Sequence, residues 1–107
     1  MKILFLLICG HALADFVLQS DDMAFGKART QGLNLYDVPW YYWLTAHALI
    51  HGGIVCLITG SLLFAMIELF SHWLIDFFKS ENKLSINEDQ IIHIILKLFY
   101  AVMITGN

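Results

Sequence analysis

Residues 11–19 read HALADFVLQ, an apolar run interrupted by His11, Asp15 and Gln19. One reading makes this the end of a cleaved leader, with Lys2 as its basic start, ILFLLIC as its apolar centre and Ala12-Leu13-Ala14 as the cleavage site. The apolar pattern, however, runs on through Phe16, Val17 and Leu18, giving a stretch long enough to cross a bilayer. A retained first helix is the better account, and it brings an imidazole and a carboxylate in with it.

The rest of the chain has the same character. Its 107 residues allow one domain, 1–107, and 59% of them are hydrophobic, with a mean hydropathy of +0.69. That exceeds the roughly 45–50% apolar content of soluble chains, so the composition calls for lipid. A net charge of −3 leaves no basic footprint for nucleic acid. Cys9 and Cys56 lie in apolar stretches without C-x-x-C spacing, which argues against a disulfide framework or a zinc ribbon.

Four apolar segments follow, at 2–19, 39–59, 61–78 and 89–105. Each is about 26–32 Å long as a helix, close to the hydrocarbon thickness of a bilayer. The expected fold is therefore all-α: an integral membrane four-helix bundle with an interfacial segment between the first and second helices. That segment, SDDMAFGKARTQGLNLYDV, is polar, and Pro39 suits the first turn of the next span. Tyr36, Trp40, Tyr41, Tyr42 and Trp43 read as an aromatic belt at a membrane interface. Ser85 or Asn87 is the expected cap of the last helix. Lys27 and Arg29 in the first connection, and Lys79 and Lys83 in the third, predict that both polar connections are cytoplasmic and both termini outside, in an inner (cytoplasmic) membrane.

The polar residues inside the spans are spaced in fours: His11, Asp15 and Gln19; His47 and His51; Glu68, His72 and Asp76; Asp89, His93 and Lys97. Residues four apart share a helix face, so each span can turn one polar stripe toward the bundle axis. Counted from the cytoplasmic ends, four of the histidines lie about 6–12 Å below one membrane face. Isolated charges in hydrocarbon cost at least about 3 kcal/mol each, and a divalent cation offsets that cost with its ordinary ligands, imidazole and carboxylate. The predicted metal ligands are His11, Asp15, His47, His72, Asp76 and His93. Zinc is the first choice, because no thiolate is involved, with manganese or iron as alternatives. Glu68 and Asp89 are the candidate catalytic bases, although Glu68 also suits orienting His72, and Asp89 also suits the helix dipole. Gln19, His51 and Lys79 are expected to assist without binding metal, Lys79 and Lys97 by snorkelling or balancing charge. Gly10, Gly52 and Gly53 read as close helix contacts.

The stretches HALADFVLQSDDMAFGK, HWLIDFFK and DQIIHIILKL resemble a small, functionally undescribed family of phage and bacterial membrane proteins. These share a His-x-x-x-Asp-Phe-x-x-Gln opening and a His-x-x-x-Asp-(Phe/Tyr) third helix. The family in turn resembles inner-membrane metal-dependent hydrolases. The resemblance implies His11, Asp15, Gln19, Lys27, His47, His72, Asp76, Lys79, Asp89 and His93 as the matching polar positions. Asp22 departs from it, standing where an aromatic residue is expected.

The expected function is accordingly a membrane-embedded, metal-dependent hydrolase with a site near the cytoplasmic face, acting on a lipid or lipid-linked substrate. Two non-enzymatic readings compete. One is a b-type haem-binding anchor, with His47 or His51 paired to His93. The other is a proton or ion relay through the same acids and histidines.

Overall fold

The computed structural model describes residues 2–29 and 35–105. Among these there is no strand, and five α-helices carry most of the chain: α1 (Lys2–Ala12), α2 (Asp21–Gly26), α3 (Trp40–Thr59), α4 (Leu62–Ser80) and α5 (Ile86–Thr105). The first span is not the uninterrupted α-helix expected over 2–19. α1 passes into a π-helical turn, Leu13–Val17, closed by the Leu18 amide donating to the Leu13 carbonyl at 2.8 Å. Such wide turns lodge an extra residue in a helix and often mark functional sites.

Local chemistry sets the helix ends. Ser20 caps α2 by accepting from the Met23 amide, and Pro39 precedes the first residue of α3. Gly60, at φ 70°, ends α3 in the left-handed conformation, so α4 turns back at once from its Ser61 cap. At α5, Ser85 is the cap and Asn87 is not: the Glu88 amide donates to Ser85 Oγ at 3.1 Å, and the Ser85 amide donates to Glu88 Oε1 at 3.0 Å. This reciprocal capping box holds the Glu88 carboxyl below its ordinary pKa.

α1 packs on α3 and α5, α3 on α4, and α4 on α5, which closes a ring around one axis. α3 and α4 approach most closely at Gly52, where an added Cβ would stand 3.0 Å from the Ala65 carbonyl oxygen. Gly10 is similarly crowded by Ile54. Gly53 meets nothing within 4 Å and is no helix contact.

What fills the axis is unusual. Among the described residues, the buried set holds ten polar or charged side chains against nine apolar ones, five of them alanine. Phe5, Phe16, Leu57, Leu62, Leu63 and Phe70 meanwhile face outward, Leu57 with 87% of its surface exposed. The apolar core is one cluster of Leu7, Val55, Tyr100 and Ala101 at the end of the ring near Gly60. One described helix, Trp40–Thr59, is long and apolar enough to cross a membrane. α4 and α5 are as long but carry Glu68, Asp76 and Lys79, and Glu88, Asp89 and Lys97.

α2 lies against α3. Gly26 sits so close to Trp43 that a Cβ would stand 2.7 Å from the indole ring. The aromatic belt is thus partly structural: Trp43 seats α2, and Trp40 packs on Trp73 and Phe77 of α4 at 6.0 and 5.5 Å between ring centroids. Gly26→Ala is expected to push α2 off α3 and cost about 1–3 kcal/mol by overpacking. A change in Trp fluorescence together with a lower midpoint of unfolding checks this.

Candidate metal centre

The ring gathers all five histidines into one buried layer, each at most 4% exposed. His51 and His72 stack at 3.7 Å between centroids, and His72 and His93 at 4.2 Å. His47 lies 4.8 and 4.9 Å from His51 and His72, and His11 lies 5.3 Å from both His51 and His93.

Asp15 is the hub. The π turn sets it below His11, with 3.4 Å between His11 Nε2 and Asp15 Oδ2. Its Oδ1 lies 2.9 Å from His51 Nε2, 3.2 Å from His47 Nε2 and 3.9 Å from His72 Nε2. Asp15, His47, His51 and His72 thereby offer four ligand atoms, all within 4.8 Å of one another, as a divalent cation requires. A second group, Glu68, His72 and His93, meets the same geometric condition. Its Glu68 is already engaged, accepting from Lys97 Nζ at 2.8 Å and from the Tyr100 hydroxyl at 3.1 Å.

The remaining candidates surround this layer. Asp76 lies toward the α2 end, 2.6 Å from Lys27 Nζ, 3.6 Å from His47 Nε2 and 3.4 Å from Lys79 Nζ. Asp89 is 1% exposed, so it is not a solvated acid serving only the helix dipole; its Oδ1 is 3.3 Å from His93 Nε2. His51 stands among the grouped residues, although the sequence suggested an assisting role. His11, taken from sequence as a ligand, shares its Nε2 with the Gln90 side-chain oxygen at 3.0 Å. Gln19 donates to the Asp15 carbonyl at 3.2 Å and accepts a hydrogen bond from Lys27 Nζ. Lys97 does not snorkel: it is 1% exposed and paired with Glu68.

Three residues of this network lay outside the sequence-derived candidates or carried a different role there. Gln90 donates to Asp15 Oδ2 at 2.8 Å and to Asp89 Oδ2 at 3.1 Å, tying α5 to α1. Lys27, counted from sequence as a mark of a cytoplasmic connection, is 4% exposed and folds back into the ring. Burial pushes its ammonium below the ordinary pKa, against the pull of Asp76. Tyr100 had a visible signal, standing three residues after Lys97 on the same helix face.

Electrostatic accounting separates the three buried acids and the partly exposed Asp15. Lys27 neutralises Asp76, and Lys97 neutralises Glu68. Among the described residues, Asp15 and Asp89 have no lysine or arginine at ion-pair distance and face imidazoles and Gln90 instead. Beside them, His11 Nδ1, His47 Nδ1, both nitrogens of His93 and Asp89 Oδ1 are buried without a hydrogen-bond partner. Native interiors rarely leave so many polar atoms unsatisfied in one place. A divalent cation held by Asp15, His47, His51 and His72 fits this donor set, since it would balance the Asp15 carboxylate and draw on three imidazoles.

No curated protein and no solved structure matches this chain. One family profile does, over residues 3–106, nearly the whole sequence, under the description "Protein of unknown function (DUF3307)". The chain, with its buried layer of histidines and acids, belongs to that family.

Proposed function

We propose that this protein is a multi-pass membrane protein whose four long helical segments form a bundle in the bilayer. In this reading it holds a divalent cation, zinc as first choice, at Asp15, His47, His51 and His72, and uses it to hydrolyse a lipid or lipid-linked substrate. The observation that carries the reading is the four-residue ligand group, whose own Asp15 lacks a lysine or arginine partner.

The membrane part rests on the inverted distribution of polarity. Leu57, Phe5 and Phe70 exposed to water would each forfeit about 1.5–3 kcal/mol of burial, whereas in lipid the same surface costs nothing. Four of the six charges of α4 and α5 that weigh against spanning lie on the axis, Glu68, Asp76, Asp89 and Lys97 all being at most 2% exposed, and the other two, Lys79 and Glu88, stand in the end turns of their helices. Lys83 is exposed at the α4–α5 turn, and it is the residue at which a cysteine would report which side of the membrane that turn occupies.

Asp15, His47, His51 and His72 would hold the cation, which would supply Lewis acidity for activating water. Gln90 holds the second Asp15 oxygen, Oδ2, so that Oδ1 faces the Nε2 atoms of His47 and His51. Asp89 and His93, each with an unsatisfied atom and 3.3 Å apart, are the pair placed to accept a proton. The haem reading is disfavoured because the nearly parallel rings of His51 and His93, 6.4 Å between centroids, both stack on His72, which leaves no room for a macrocycle between them. A transmembrane relay is disfavoured because the polar column stops at Glu68 and Tyr100, where the apolar cluster of Leu7, Val55 and Ala101 closes the bundle.

Elemental analysis of protein purified in detergent is expected to find about one divalent ion per chain, and zinc at 100 times its dissociation constant should stabilise the metal-stripped protein by about 2.7 kcal/mol. A folded, metal-free protein whose unfolding midpoint does not move with zinc, manganese or iron would overturn the proposal.

A further inference from the structure

We infer that Glu68 is a positioning residue that sets the orientation of the stacked His51–His72 pair, and that Lys97 and Tyr100 serve to hold it there; the inference rests on the cation-binding reading above. The two rings lie nearly parallel, 22° apart, and present the same atoms to the same partners. His51 and His72 turn Nε2 toward Asp15, at 2.9 and 3.9 Å. Both turn Nδ1 toward Glu68 Oε2, at 3.9 and 3.4 Å.

A carboxylate behind the non-ligating nitrogen of a histidine selects the tautomer that leaves the other nitrogen free to bind metal, and fixes the plane of the ring. Glu68 suits this work because it is immobile: it is 0% exposed, Lys97 Nζ holds Oε2 at 2.8 Å, and the Tyr100 hydroxyl holds Oε1 at 3.1 Å. The same contacts explain why Glu68 is not itself a ligand. The Lys97 ammonium already stands as the cation beside Glu68, so the group formed by Glu68, His72 and His93 does not become a second metal site. Glu68 and Lys97 therefore belong together as a neutral unit that aims two ligands, rather than as a proton acceptor.

The test uses cobalt(II) as a spectroscopic probe in the detergent-purified full chain. The double variant Glu68→Gln/Lys97→Met removes both charges at similar volume, so no buried ion is left unpaired. It is expected to bind cobalt roughly 10–100-fold more weakly than wild type, with displaced ligand-field bands, because losing a partner that orients a metal-binding histidine has about that effect. If the double variant does not fold, Tyr100→Phe decides: it keeps the ion pair, removes one restraint on Glu68, and is expected to weaken cobalt binding several-fold with a smaller band displacement. Wild-type protein that binds no cobalt refutes the underlying cation reading. Wild type that binds it, with wild-type affinity and spectrum in the variant that folds, refutes the role of Glu68 alone.

Discussion

Asp15→Asn is expected to strip the protein of its divalent cation. Among the described residues, Asp15 is the one whose carboxylate reaches His47, His51 and His72 together, with Oδ1 2.9–3.9 Å from their Nε2 atoms. An asparagine keeps the shape but removes the charge, and one of its two terminal atoms becomes a donor facing imidazole or Gln90 nitrogens. Zinc sites of four ligands bind with about 10–16 kcal/mol, so one charged ligand accounts for about 3 kcal/mol and its loss for at least about 100-fold in affinity. Equilibrium dialysis with elemental analysis reads this directly. His11→Ala is the informative control, because His11 touches Asp15 but spends its Nε2 on Gln90, and its removal should weaken binding far less. Equal metal retention in Asp15→Asn and wild type would remove the hub from the centre.

Lys27→Met should destabilise the fold by about 3 kcal/mol, at the lower end of what removing one member of a buried ion pair costs. Lys27 Nζ is 2.6 Å from Asp76 Oδ2, and both side chains are at most 4% exposed. Without the ammonium, Asp76 keeps only Lys79, 3.4 Å away and 28% exposed, and His47 at 3.6 Å. The double variant Lys27→Met/Asp76→Leu is expected to recover most of the loss, because no uncompensated charge then remains inside. Thermal unfolding in detergent measures all three variants. A double variant as unstable as the sum of the two single changes would show that the pair contributes nothing as a pair.

The polar stripes were legible in the sequence because the helical period forces it: residues four apart share a face whatever the partner. Glu68 and His72, or Asp89 and His93, therefore came together. Depth counted along each helix also brought the stripes to a common layer. The partners that settle each residue's role were less visible. Gln90 stands one position off the stripe of Asp89 and His93, and only the packing of α5 beside α1 turns it toward Asp15. Lys27 belongs to no periodic pattern; it enters the ring because α2 folds back onto α3 at Gly26 and Trp43, a contact between residues 17 apart in sequence. His51 and His11 exchanged weight for a similar reason, since depth on a straight helix does not register the rotation introduced by the π turn.

That turn has a consequence for which changes the chain can absorb. A π turn is one residue more than an α-helix needs, so deleting a single position within Leu13–Val17 would let the helix close in its ordinary way. Because the wide turn absorbs its extra residue locally, the helix on either side would keep its face, with Leu7, Gly10 and His11 still toward the axis, whereas a residue gained there would swing one side by about 100° relative to the other. The segment is thus indifferent to the identity of outward residues such as Leu13, Phe16 and Val17, and has slack for the loss of a residue but none for a gain.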